Sequence, residues 1–191
     1  ALLDQLDSSV IYHRKEHTTD SVVPSALAIA EAEGFSLEDR LLVGIAAAFH
    51  DTGFVRQYNA NEQIGAQLAE EYMRASQYAY TEEQIANVKN AIENTNMKSP
   101  PTTTYAKVLR DSDLAILGHP DFVEWNEDLM EECKLHSESP MHEASLDVTK
   151  WAQSQLGFIS NFHDWFTDGA RYLYEEVKQQ NVVAFRKHYQ L

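Results

Sequence analysis

Apolar residues recur three and four positions apart along most of this chain, which is the spacing of one face of an α-helix. The segments that show this spacing are 18–33, 61–75, 104–117, 120–135, 141–156, 162–178 and 181–189, together with a segment that follows Thr81. Residues 41–49 are apolar on nearly every side and predict a central, buried helix. No segment alternates between apolar and polar residues as a half-buried strand does.

Residues that start or stop helices lie between these segments. Gly34 is placed to end the first helix, and Ser36 to cap the next. The sequence Thr81-Glu82-Glu83-Gln84 is a capping box, and Ser99-Pro100-Pro101 interrupts the helical pattern. The pattern predicts an all-α protein with one compact domain over residues 1–191. Its core is expected at about 12–118 and its C-terminal helices at about 120–191.

The composition restricts the classes of partner. The chain has 191 residues, a hydrophobic fraction of 43% and a formal net charge of -15. An acidic surface disfavours nucleic-acid polymers and anionic membranes, because both bind basic surfaces. A small anionic substrate remains compatible with this charge if a metal supplies local positive charge. No apolar run is long enough to span a bilayer.

The single cysteine, Cys133, excludes an intrachain disulfide. The sequence shows no basic start followed by an apolar stretch, so no secretory signal is expected. These two features favour a reducing cytoplasm as the location. The sequence leaves the oligomeric state open, a homodimer included.

Three short motifs carry side chains that bind metals. His13 and His17 are four residues apart, so a helix or helical turn would put both on one face. His50 and Asp51 follow the apolar run, and an Asp-x-Asp lies further along the chain. Each motif alone is more often structural than functional. Together they offer two imidazoles and two carboxylates, which suit one divalent ion of manganese, iron, magnesium, zinc, cobalt or nickel.

In order and spacing, these motifs resemble those of the HD-domain superfamily of metal-dependent phosphohydrolases. The resembling motifs are Tyr12-His13-x-x-x-His17-Thr18, Phe49-His50-Asp51-Thr52-Gly53 and Asp111-Ser112-Asp113-Leu114, within about residues 12–118. The resemblance implies a helical domain of the HD/phosphodiesterase type that binds a divalent metal. It places His17, His50, Asp51 and Asp113 as ligands, with Asp111 as the alternative or as a supporting residue.

The resemblance also implies catalytic roles. His13 matches the histidine that protonates the leaving oxygen in cyclic-nucleotide phosphodiesterases, and Asp51 serves catalysis as a ligand. Glu62 is a further catalytic candidate, although an acid in the first turn of a helix also stabilises the helix dipole. Arg14, Thr95 and Lys98 are candidates for substrate binding; for Arg14 the exposed-surface alternative is favoured, and for Lys98 it has equal weight.

Departures from related families narrow the expected activity. No histidine lies between His50 and His119, which disfavours a two-iron oxygenase. One metal is therefore expected, unless a carboxylate such as Glu62 helps to hold a second ion. Thr52-Gly53 stands where alarmone hydrolases carry Glu-Asp. The expectation is therefore hydrolysis of the phosphate ester of a nucleotide or another small phosphorylated metabolite. The alternative is a module that binds metal and nucleotide without turnover.

Overall fold

The computed structural model describes residues 2–98 and 100–191. Nine α-helices lie within them and none of the described residues forms a strand, which confirms the all-α prediction. The helices are α1 Val23–Ala32, α2 Leu37–Phe49, α3 Asn61–Ala75, α4 Glu82–Glu93, α5 Thr104–Asp113, α6 Phe122–Leu135, α7 His142–Ser145, α8 Val148–Gly157 and α9 Asp168–Tyr189. No described helix combines the length and apolar character that crossing a bilayer requires.

The first helical stretch begins with a wide π-turn over His17–Val22 and continues directly into α1. Pro24 has no N–H, and its ring crowds the carbonyl four residues earlier, so a wide turn before it removes both conflicts. Gly34 then ends the stretch with a φ of 75°, which only glycine adopts at low cost. The sequence pattern therefore predicted the span and its end, but not the π-turn.

The predicted caps are present. The Ser36 hydroxyl accepts a hydrogen bond from the backbone N–H of Asp39, and Thr81 forms both bonds of its capping box with Gln84. The break predicted at Ser99-Pro100-Pro101 includes Ser99, which lies outside the described residues. On either side of it, α4 ends before a 3-10 turn and α5 begins after the cap residue Thr103.

The C-terminal half differs from the predicted segments. The segments 162–178 and 181–189 are one helix, α9, which begins only at Asp168 because Thr167 caps it. The segment 141–156 divides into α7 and α8, since the Asp147 side chain caps a new helix there. Side-chain capping bonds end or start a helix without disturbing the apolar spacing, so periodicity alone misses them.

One apolar core joins the two halves of the chain. Its buried residues come from the helices α1 to α6, α8 and α9 and from the turn after α8, and include Ile29, Leu42, Ile92, Leu109, Ile159 and Phe185. At Gly118, a Cβ would lie 2.6 Å from the backbone oxygen of Tyr174 in α9. Helix α9 therefore packs closely against the segment that follows α5.

Helix α3 approaches the end of α2 closely at two glycines. A Cβ at Gly65 would lie 2.6 Å from the backbone oxygen of Phe49 and 2.9 Å from that of His50. A Cβ at Gly53 would lie 1.9 Å from the backbone oxygen of Asn61. These contacts hold the His50-Asp51 peptide against α3.

We predict that Gly65→Ala lowers the free energy of unfolding by about 1–3 kcal/mol, because backbone atoms must move to admit the methyl group. The same movement displaces His50 and weakens metal binding. Gly157→Ala is the matched control: nothing lies within 4 Å of its Cβ position, so we expect a gain of about 0.4–1 kcal/mol. Urea unfolding and metal titration measure both effects, and equal stability of the two variants would contradict the prediction.

Candidate metal centre

Two histidines and an aspartate from three segments meet beside the end of α2. His17 lies in the π-turn before α1, His50 follows α2, and Asp113 is the last residue of α5. Their ligand atoms all lie within 4.8 Å of one another. Asp113 Oδ1 is 3.2 Å from His17 Nε2 and 3.4 Å from His50 Nε2.

Asp51, the fourth predicted ligand, reaches the same place. Its Oδ2 lies 3.0 Å from His50 Nε2 and 3.6 Å from His17 Nε2. Adjacent residues on a regular helix point in different directions. Asp51 has already left the helical conformation, with a φ of -101° and a ψ of 0°, and its carboxylate lies beside the imidazole of His50.

The buried polar atoms of the site fit a divalent cation. His50 Nδ1 is 2.7 Å from the backbone oxygen of Ala47; because a carbonyl only accepts, Nδ1 carries the proton and Nε2 keeps its lone pair. His50 Nε2 and Asp51 Oδ2 are both buried and have no hydrogen-bond partner among the described residues. The two atoms lie close together without hydrogen-bond alignment, as expected for ligands that share an ion.

The electrostatics of the cluster also favour a cation. Burial lowers the pKa of His17. Burial has the same effect on His50, but the carboxylates of Asp51 and Asp113 outweigh it and raise the pKa of His50. Burial acts to raise the pKa of Asp113, whereas the adjacent imidazoles of His17 and His50 outweigh it and hold that pKa well below its ordinary value. The site therefore holds the Asp113 carboxylate charged and attracts positive charge.

Asp111 lies elsewhere. Its carboxylate is fully buried and accepts hydrogen bonds from the backbone N–H groups of Phe166 and Thr167 and from the Thr167 hydroxyl at 2.7 Å. Burial raises the pKa of Asp111 to about 6. Asp111 therefore anchors the segment before α9, and the geometry favours Asp113 over Asp111 as the ligand.

His13 is held by a buried glutamate that the sequence analysis missed. His13 Nδ1 lies 2.5 Å from Glu132 Oε1, and the two imidazoles of His13 and His17 have centroids 5.7 Å apart. Glu132, in α6, also accepts bonds from the backbone N–H of Tyr12 and from the Tyr58 hydroxyl. With Nδ1 engaged, Nε2 is the nitrogen of His13 that is available for proton transfer.

His13 and Glu132 each favour the charged form of the other. Burial acts to lower the pKa of His13, but the Glu132 carboxylate outweighs it and raises that pKa. Burial acts to raise the pKa of Glu132, but His13 outweighs it and lowers the pKa to about 2. Nothing in the run Leu129-Met130-Glu131-Glu132-Cys133 distinguishes this glutamate from its neighbour, so only the packing of α6 against the N-terminal segment identifies it.

We predict that this pair makes stability depend on acid. The pKa of Glu132 is about 2 in the folded protein against an ordinary 4.5, so the unfolded chain binds the proton more tightly. The pair therefore contributes about 3 kcal/mol to the free energy of unfolding. This contribution is complete above pH 4.5 and is lost as the pH falls toward 2. Urea unfolding at a series of pH values should show this loss in the natural protein and in Glu131→Gln, but not in Glu132→Gln. An unchanged acid dependence in Glu132→Gln would contradict it.

Two substrate-binding candidates are engaged in structural contacts. Arg14 donates to Asp128 Oδ2 at 2.5 Å, and its guanidinium lies 4.7 Å from the ring centre of Trp125. The Thr95 hydroxyl is buried and donates to the backbone oxygen of Ile92. The structure therefore provides each of these side chains with a partner inside the protein.

The other two candidates share one cavity. Glu62 and Lys98 line a cavity of about 480 Å³. The Arg110 guanidinium, which the sequence analysis did not select, is close enough to Glu62 and Asp113 for both to act on it. Burial lowers the pKa of Arg110, against the effect of these carboxylates. The cavity thus lies between the start of α3 and the end of α4 with the turn that follows it.

Comparison with known protein families is consistent with this geometry. The HD domain family matches residues 20–115, half of the chain, and the chain belongs to that family. The match includes His50, Asp51 and Asp113, whereas His13, His17 and Glu132 lie outside it. No curated protein and no solved structure matches the chain significantly. Metal-dependent hydrolysis is the general activity that the family suggests.

Proposed function

We propose that this protein is a metal-dependent phosphohydrolase that cleaves the phosphate ester of a nucleotide or another small phosphorylated metabolite. The observation that carries the proposal is the buried cluster of two imidazoles and two carboxylates, in which His50 Nε2 and Asp51 Oδ2 have no partner among the described residues. Membership of the HD family supports the same chemistry. The single cysteine further leads us to expect a cytoplasmic location.

The four side chains that would hold the ion are His17, His50, Asp51 and Asp113. Imidazole and carboxylate ligands together suit one divalent ion of manganese, iron, magnesium, zinc, cobalt or nickel. When bound, such an ion lowers the pKa of water and offsets the negative charge of the phosphoryl group.

The chain itself supplies the proton. In the hydrolysis, the oxygen of water forms a bond to phosphorus, and the bond between phosphorus and the ester oxygen breaks. His13 gives its Nε2 proton to that leaving oxygen, and the proton lost by water restores it. Glu132 keeps the imidazole oriented and stabilises its charged form. Lys98 and Glu62 are the candidates to contact the substrate from the α3 side.

The test combines metal analysis with a panel of phosphate monoesters and diesters. Protein prepared without chelator should contain about one divalent ion per chain and hydrolyse at least one ester. Asp51→Ala should lose both properties, whereas Glu131→Ala, which alters an exposed acid of α6, should keep both. Absence of metal, or full activity of Asp51→Ala, would reject the proposal. Metal and nucleotide binding without any product would instead favour the binding module.

A further inference from the structure

A second cavity, of about 390 Å³, is lined by residues of the two segments that follow the metal ligands His17 and Asp113 in the sequence. One wall follows His17: Ser21 and Ser25 come four and eight residues after it, along one side of the same helical stretch. The other wall follows Asp113 and contains Ile116. The cavity therefore extends away from the metal centre between these two segments.

Trp125 connects the cavity to the centre. Its ring lines the cavity, and its centroid lies 5.9 Å from that of His17. Tyr174 of α9 provides a second aromatic side chain. The rest of the lining is largely apolar and includes Pro24, Ala28, Ala115 and Ile116.

The charges of the cavity are negative. Asp20 and Asp121 line it, and the residues described as lining it include no lysine and no arginine. The remaining candidate cation is His119. Its Nδ1 accepts a hydrogen bond from the backbone N–H of Asp121 at 3.3 Å. The same nitrogen lies 3.5 Å from the Asp121 carboxylate.

A serine hydroxyl provides a polar contact point in the cavity. Ser25 lines the cavity and is only 8% exposed. Its hydroxyl forms no hydrogen bond to any of the residues that the structure describes. Its oxygen is not among the fully buried polar atoms of the protein, so it is open to the cavity and can bond to water or to a ligand there.

We propose that this cavity binds the positively charged amine of the substrate, so that the metal centre hydrolyses the phosphate ester of an amino alcohol. Carboxylates beside aromatic rings attract an ammonium group, and an apolar lining accepts its alkyl substituents. A phosphate is unsuited to the same place, because the described lining presents it with the carboxylates of Asp20 and Asp121 and with no lysine or arginine. The hydrolysis in this inference rests on the proposed function, whereas the recognition of the amine rests on the cavity.

Binding of the amine is tested separately from hydrolysis. Choline is titrated into the natural protein while the indole signal of Trp125 is followed by NMR. The control ligand, 3,3-dimethylbutanol, has the same shape without the charge. We expect choline to bind about tenfold or more tightly than the control. The double variant Asp20→Asn, Asp121→Asn should remove this difference, and the surface variant Glu131→Gln should keep it.

The reaction is tested with matched esters. The ratio kcat/KM should be about tenfold or more higher for phosphocholine than for 3,3-dimethylbutyl phosphate or for a nucleoside monophosphate. Equal binding of choline and its neutral isostere, or a preference for the nucleotide, would overturn the inference. Selective choline binding without hydrolysis of any ester would support the amine site and reject the proposed phosphohydrolase, so the two failures are distinguishable.

Discussion

Replacing Asp113 by asparagine is expected to weaken binding of a divalent metal by more than about 100-fold, because a charged ligand becomes neutral. Hydrolysis should fall with it. Isothermal titration with manganese measures the affinity directly. At a metal concentration of about 100 Kd, the natural protein should gain about 2.7 kcal/mol of stability, whereas Asp113→Asn should gain almost nothing at the same concentration.

The matched control is Asp111→Asn, two residues earlier in α5. Asp111 accepts all of its hydrogen bonds from the segment before α9. An amide directs N–H groups toward these donors, so we expect a loss of about 1–3 kcal/mol in the free energy of unfolding. Its metal affinity should remain close to that of the natural protein. The reverse result, with metal lost in Asp111→Asn and kept in Asp113→Asn, would contradict the assignment of the ligand.

Replacing His13 by glutamine is expected to lower kcat by about 10²- to 10⁴-fold for an alkyl phosphate, because the leaving alkoxide then departs without a proton. An ester that releases p-nitrophenolate should lose far less, since this anion is stable without protonation. Metal content should not change, because His13 is not among the ligand atoms that cluster around Asp113. Steady-state kinetics on the two esters measures the contrast.

A structural role for His13 predicts a different result. If the substitution only disturbed the packing against Glu132, both esters would lose activity equally, and the metal affinity would fall as well. Glu132→Gln gives a second comparison: the imidazole remains but loses its orienting carboxylate. We expect Glu132→Gln to lower kcat more for the alkyl phosphate than for the p-nitrophenyl ester. For each ester the loss should be smaller than in His13→Gln.

Local sequence determined the helical class and many of the helix ends. Apolar spacing identified α3, α4 and α5, and the caps at Ser36 and Thr81 form as predicted. These features depend on residues within one or two turns, whose interactions the sequence shows directly. The start of α9 was predicted too early, because Thr167 caps the helix and Asp111, more than fifty residues away, holds the segment before it.

The same distinction between local sequence and tertiary structure applies to the candidate site. The sequence by itself determined which side chains are suited to bind a metal, because histidine and aspartate types and their order are visible in it. Tertiary structure decided that Asp113 lies with His17 and His50 while Asp111 does not. It also brought Glu132 to His13 across 119 positions of sequence. Such pairings follow from how the helices pack, and the spacing of residues along one helix carries no information about its partner.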